Sequence, residues 1–339
     1  MTGLFPDRSP SPEAALRDLK DGRPSARQAA AETLGDVRDP EMAPRARAAL
    51  IRATDDLRPE VRATAALALG DIGGEEVAAA LIRCLDDGNS EVRQSAAVAL
   101  GSLGDKSAVS ALIGALRDGP PDLRFQAATS LAELDPSSAR EPLLAALEDD
   151  DAEVIAAAAL ALGAIGEQRA RDRLAELIPN HGPKTAFDLA YALADLGDVR
   201  AADTLGQYMA DDSFGWDAIV SLEKLAETEA GRDHAERHLT ELLQRKNLSP
   251  PLGLRAAAVL LRHGSSAASA THGRRTLLEG LRARKLEHRG LSIELLAEVG
   301  GPWAREPLER LRGRWSSRRL HDEIDDALAA LSDRTEAPQ

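Results

Sequence analysis

The sequence predicts an all-α chain built as a stack of two-helix units, and three observations carry that expectation. The phrase PEVRATAALALGDIGG at 59–74 returns as SEVRQSAAVALGSLGD at 90–105, 31 residues later. The apolar content is mostly Ala, Leu and Val, with aromatics at 3%, so small, unbranched helix formers dominate. Nowhere do β-branched or aromatic residues alternate with polar ones as a strand requires.

Each unit reads as two helical parts. VAAALIRCL (77–85) is a first helix, DDGNS a turn, and EVRQSAAVALGSL (91–103) a second helix. In the second helix Val92, Ala96, Ala97, Leu100 and Leu103 recur at three- and four-residue steps, one apolar stripe facing the first helix and the next unit. Aligning on the central leucine gives Leu34, Leu69, Leu100, Leu131, Leu162, Leu193, Leu222, Leu260 and Leu296, spaced by 35, 31, 31, 31, 31, 29, 38 and 36 residues. A near-constant period of this length marks stacked supersecondary units, about nine here, rather than one globular core. Pro59, Pro121 and Pro183 suit a helix first turn, where the missing N–H costs nothing. Gly70, Gly101 and Gly163 suit a close helix approach, and Gly73, Gly104, Gly166 and Gly197 a left-handed helix end.

A polar element shares the period. Asp56, Asp87, Asp118 and Asp149 precede second helices, and Arg62, Arg93 and Arg124 stand in their first turns. Arginine there opposes the helix dipole unless an acid is near, so an Asp–Arg ladder along the stack is expected. Ile155 and Ala186 interrupt the arginine row, which is expected to leave the acids near Asp149 and Asp151 less neutralised.

The net charge of −14 is unevenly spread. Residues 1–230 hold 23 basic and 41 acidic side chains, and 231–339 hold 19 and 15. Residue 230 therefore separates an acidic, regular region (11–230) from a more basic, irregular one (231–332) of the same stack, with disordered tails expected at 1–10 and 333–339. The single cysteine, Cys84, excludes an intramolecular disulfide and lies in line with Leu and Ile, as a packing residue does. No basic-then-apolar leader and no apolar run of membrane-spanning length occurs. A cytoplasmic protein, a monomer without a membrane contact, is expected.

The motif VR..AA.ALG.IG at a 31-residue period resembles HEAT repeats, in particular the short HEAT-like class of phycobilin lyase subunits. The likeness covers about residues 12–330 and is most specific between 57 and 167. It implies a right-handed α-solenoid whose second helices line the concave face, and a scaffold or adaptor more often than an enzyme. A phycobilin lyase-like enzyme or enzyme subunit is the alternative it carries. The iron-binding His-Glu dipeptides of HEAT-repeat hydroxylases are missing from this chain.

No phosphate loop, GxSxG elbow or HExxH motif is present, so no catalytic residue is assigned. His234 and His238 share a helix face but lack a clear third ligand, and neither a metal nor a cofactor is expected. Arg274, Arg275, Arg282, Arg284, Arg312, Arg314, Arg318 and Arg319, with Lys285, Arg289 and Arg310 among them, form a basic C-terminal group able to hold an anion. The acidic remainder of the chain would repel a duplex, so nucleic acid is not the expected partner, and nucleic-acid or other polyanion binding by these basic C-terminal repeats stands as a second alternative function.

Positions six before, two before and two after the aligned leucine lie opposite the core stripe. Read along the units, they gather four of the nine aromatics: Phe125, Phe187, Tyr191 and Trp216. With Leu160 they make an apolar strip, flanked by Glu133, Asp188, Asp195 and Asp217. Large rigid rings anchor protein interfaces, so a non-catalytic scaffold gripping a protein partner with a basic segment is one reading. The other is that the rings pack between adjacent second helices.

Overall fold

A computed structural model of the chain describes residues 11–74, 76–134 and 136–336. The described residues hold twenty α-helices and no strand, and contacts divide the chain into two compact units, one ending at Ala170 and the other beginning at Arg171. The expected tail at 1–10 lies outside the described residues.

The first unit contains five helix pairs: α1 (Pro12–Asp21) with α2 (Pro24–Gly35), α3 (Ala43–Ala53) with α4 (Pro59–Ile72), α5 (Val77–Cys84) with α6 (Ser90–Leu103), α7 (Val109–Asp118) with α8 (Pro121–Leu134), and α9 (Pro136–Ala146) with α10 (Ala152–Ala164). The second helices α2, α4, α6, α8 and α10 pack each on the next and form one layer, with the first helices behind them. Leu34, Leu69, Leu100, Leu131 and Leu162 are fully buried at these contacts.

Spacing between second helices is set by small residues. A Cβ on Gly70 would come within 2.9 Å of Ala99 Cβ on α6, closer than real side chains approach, so glycine is what allows this separation. Gly104, with φ +71° and ψ 11°, ends α6 in the left-handed region that a side chain disfavours. Helix starts follow local chemistry: Pro59 and Pro121 open α4 and α8, while Asn89 and Asp151 accept the exposed N–H groups of α6 and α10.

The second unit also contains five pairs: α11 (Arg171–Leu177) with α12 (Pro183–Asp195), α13 (Ala201–Tyr208) with α14 (Gly215–Leu225), α15 (Glu229–Leu243) with α16 (Pro250–His263), α17 (Ala267–Gly280) with α18 (Leu286–Val299), and α19 (Pro302–Arg312) with α20 (His321–Glu336). Here α12, α14, α16, α18 and α20 pack successively. Leu193, Leu222 and Leu296 are fully buried, and Leu260 nearly so.

Among the described residues the pairs number ten, one beyond the nine aligned leucines. The additional pair is α19/α20, which lacks the Ala-Ala-x-x-Leu-Gly phrase. A turn of 3-10 helix, Trp315–Leu320, leads into α20. That helix runs to Glu336, four residues into the segment expected to be a tail, because no glycine or proline interrupts it before Pro338. The change of charge near residue 230 falls inside the second unit, at the start of α15, and does not coincide with the division of packing.

Candidate functional site

Among the described residues, the exposed large apolar side chains fall almost entirely on the row opposite the core stripe. In the first unit these are Leu67 on α4, Val98 on α6, Phe125 on α8 and Leu160 on α10, from 37% to 42% exposed. Leu57, in the turn before α4, is off the row. In the second unit Trp216 and Val220 of α14 are the exposed ones, Trp216 at 41%. Each is held on a helix whose other face is locked into the core, so the apolar surface is presented on a rigid support.

Phe187 does not belong to this surface. It is 4% exposed and sits among Phe214 at 4.7 Å, Tyr208 at 5.4 Å and Tyr191 at 6.3 Å between ring centres. The Tyr208 hydroxyl donates to the Pro183 carbonyl at 2.8 Å, which ties α13 to the start of α12. Phe187 is thus a core ring, and Tyr191 is a half-buried one at the edge of the same cluster. Trp216, by contrast, carries the Arg255 guanidinium over its face at 5.8 Å.

The flanking acids differ in availability. Glu133 and Asp217 are exposed. Asp195 is half-buried and accepts from Lys224 Nζ at 2.7 Å, so much of its charge is already matched. Burial pushes the Asp188 carboxyl above its usual range, with Lys184 opposing the shift.

Beyond Val220 the row changes from apolar to charged. Glu223 on α14 accepts from Arg255 and Arg262 of α16, and Arg262 also binds Glu298 on α18, with Arg255 3.6 Å from the same carboxylate. Arg262 and Glu298 occupy expected row positions, but Glu223 and Arg255 were not legible there. The 38- and 36-residue spacings of these units hide which side chains share a face.

A ladder of ion pairs runs through the first unit, with each arginine reaching the turn of the following pair. Arg27 donates Nε and Nη2 to Asp56 at 2.7 and 2.8 Å, and Arg62 does the same to Asp87. Arg124 binds Asp149 at 2.8 and 2.6 Å. Their Nη1 atoms donate backward, to the carbonyls of Gly22, Asp56 and Gly119 in their own turns. Each fork thereby stitches two successive turns. The Arg62 guanidinium holds the Asp87 carboxyl below the usual carboxylate range.

Two expectations about this ladder need correction. Asp118 is not part of it: it binds its neighbour Arg117 at 2.5 Å, and Arg93 bonds Asp122 at 3.0 Å instead. Asp56, Asp87 and Asp149 each accept the backbone N–H two residues on, which orients them. Two residues after Asp118 stands Pro120, which has no N–H to offer. Asp149 is also not left less neutralised by Ile155, because its partner comes from the preceding pair; Asp151 caps α10. Arg27 is a rung the reading missed, although it lies seven residues before Leu34 as Arg62 does before Leu69.

Where α10 ends, Arg169 donates Nε to Glu167 Oε1 at 2.9 Å and, with Arg140 nearby, holds that carboxyl down at about 2. Between about pH 4.5 and 2 the unfolded chain therefore binds a proton at this residue that the folded chain does not. Folding is weakened as the pH falls through that window. Glu167→Gln is expected to be less stable than wild type at neutral pH and to lose less stability on acidification over that range. Urea midpoints measured at stepped pH check this; parallel curves for the two proteins would contradict it.

The basic C-terminal side chains divide into two sets. Arg274 lies over Trp303 at 5.3 Å, Arg275 is 3.5 Å from Glu279, and Arg312 binds Asp325 at 2.6 Å. Arg282, Arg284, Arg314, Arg318 and Arg319 are exposed and have no carboxylate within ion-pair distance among the described residues. His238 Nε2 stands 2.9 Å from Asp203 Oδ1, a carboxylate shared with Arg237, and so helps link α15 to α13. Cys84 is buried, and burial raises its thiol pKa, as suits a packing residue. No described helix is long and apolar enough to cross a membrane.

Helix pairs stacked in two layers, with a polar ladder joining their turns, define an α-solenoid of the helical-repeat class. The model of HEAT repeats matches residues 12–101, 46–132, 109–186 and 141–226. The chain belongs to the HEAT-repeat family. No curated protein matches the sequence. Among solved structures, it is 26% identical to a chain of the complex of CpcE and CpcF of phycocyanin lyase from Nostoc sp. PCC7120, over 71% of this chain and 97% of that one, with a TM-score of 0.43. A chain of the Kap95:Nup1 complex is 14% identical over 94% of this chain, with a TM-score of 0.65. A chain of a homology model of the full-length AP-3 complex in an intermediate open conformation is 14% identical over 84% of this chain, with a TM-score of 0.60. These last two share the fold, and the present chain spans about half the length of each, 52% and 55%.

Proposed function

We propose that this protein is a non-catalytic scaffold that holds a protein partner along the exposed row of its second helices, the face a solenoid of this kind makes concave. The observation that carries the reading is the placement of Leu67, Val98, Phe125 and Leu160 in one unit, and of Trp216 and Val220 in the other, on one repeat position set. Apolar area covered by a partner is worth about 25 cal/mol per Å² before ordering costs, and side chains fixed on packed helices within each unit keep those costs low. Exposed Glu133 and Asp217 beside it favour a partner segment with basic side chains. Such a segment is an amphipathic helix or an extended strand whose apolar residues meet the row.

The test starts from the partner recovered with the full chain from its host and then purified. Leu67→Asp with Leu160→Asp, and separately Trp216→Ala, are expected to weaken its binding by about tenfold or more, while the thermal midpoint stays within about 2 °C of wild type. Unchanged affinity in both variants overturns the reading.

A further inference from the structure

The ladder position recurs once more, far from its other members. Seven residues before the aligned leucines stand Arg27, Arg62, Arg93 and Arg124, then Ile155, Ala186, Gly215 and Gly253, and then Arg289 before Leu296. Arg289 lies in the first turn of α18, as the earlier arginines lie in theirs. Each earlier arginine reaches an aspartate at the turn of the following pair. The turn following Arg289 reads GRWSSRRL (313–320) and contains no acid, with Arg314, Arg318 and Arg319 in it; Asp322, which holds in α20 the place Asp122 holds in α8, and Glu323 form no ion pair with Arg289 among the described residues.

Three polar atoms at this place are buried without a hydrogen-bond partner: Arg289 Nε, Ser317 Oγ and His321 Nε2. Ser317 is fully buried. The elements that carry them touch: α20 packs on both α18 and the 315–320 turn, and a side chain at Gly290 would meet Leu320 at 3.8 Å. Buried polar atoms without a partner cost stability, and of these three Arg289 Nε is always a donor that calls for an acceptor. The preceding turn, between α17 and α18, presents Arg282, Arg284 and Lys285, exposed and likewise without a carboxylate in reach among the described residues. Two successive turns at one edge of the second unit therefore carry a net positive charge, seven basic side chains over 282–289 and 314–323 against the three acids Glu287, Asp322 and Glu323.

We propose that this edge of the second unit binds an acidic peptide segment of a partner protein, one carboxylate of which sits on Arg289 as Asp87 sits on Arg62. The fork geometry of the ladder is a carboxylate geometry, with Nε and Nη2 each donating to one oxygen, and a flexible Asp or Glu side chain can enter a partly covered turn. Further acids along the segment meet Arg314, Arg318 and Arg319 on one side, and Arg282 and Arg284 on the other. A nucleic-acid backbone would need a longer basic track, and the excess of acids over residues 1–230 would repel it.

The experiment uses the full chain and a fluorescent peptide of alternating glutamate and glycine, followed by polarisation at low and physiological salt. Wild type is expected to bind it, more weakly as salt rises. Arg289→Gln, and separately Arg318→Glu with Arg319→Glu, should each weaken binding about tenfold or more. Arg305→Gln, which removes a partner of Glu309 on α19, should leave it unchanged. The exposed pair Arg318 and Arg319 carries the test if Arg289→Gln fails to fold. The Leu67→Asp, Leu160→Asp protein should still take up the peptide, so this site and the apolar row fail or succeed separately. Absence of binding to wild type at low salt, wild-type affinity in the Arg318→Glu, Arg319→Glu protein, or tighter binding of a duplex DNA of equal charge overturns the proposal.

Discussion

Phe187→Ala is expected to destabilise the second unit by about 3–5 kcal/mol, whereas Trp216→Ala costs at most about 1 kcal/mol. The two rings hold the same place in the repeat, six residues before the aligned leucine. Their surroundings decide the difference. Phe187 is 4% exposed and its faces are covered by Phe214, Tyr208 and Tyr191, so truncation leaves a cavity walled by rings that cannot collapse into it. Trp216 is 41% exposed, and removing it uncovers little beyond the Arg255 contact. Urea unfolding followed by circular dichroism distinguishes them. Equal losses in the two variants would show that Trp216 too is a core ring and would remove it from the binding row.

Leu100→Ala should cost the first unit about 3 kcal/mol, and Val98→Ala, two residues away on the same helix, no more than about 0.5 kcal/mol. Leu100 has no exposed surface, in a helix that packs on both α4 and α8. Stability of stacked repeats is a sum of unit and nearest-neighbour terms, so a defect at this position weakens two interfaces at once. The loss should therefore appear as an earlier unfolding step confined to part of the chain. Hydrogen exchange would register it as reduced protection across α4, α6 and α8, with α16 and α18 unaffected. A uniform loss of protection over all helices would show that the chain unfolds as one cooperative body.

Much of this architecture was legible because it follows from distances along the chain. Helix pairs, their turns, the buried leucines and the left-handed glycine ends are local consequences of a 31-residue period and of side-chain size. The exposed row was legible for the same reason, since residues four apart on a helix share a face wherever the helix lies. The ladder was legible in composition but not in connection. Whether Arg62 serves Asp56 in its own turn or Asp87 in the next cannot be told from spacing, and the structure answers with both, a backbone carbonyl in one and a carboxylate in the other.

What the sequence by itself determined is the repeat: an all-α stack, its core stripe, its glycine contacts and the set of positions left free for a partner. These depend on neighbours a few residues away or one period away, and both are written in the chain. Only the tertiary structure decided which of those free positions are surface. Phe125, Phe187 and Trp216 occupy one repeat position, yet the middle ring is buried, because the 29-residue step between Leu193 and Leu222 brings Tyr208 and Phe214 over it. Likewise Asp118 and Asp122 exchange roles through a proline, and Arg289 keeps the ladder position while the turn beyond it supplies no acid. Burial and pairing are properties of what a side chain meets across the stack, and that meeting depends on how each irregular step is folded.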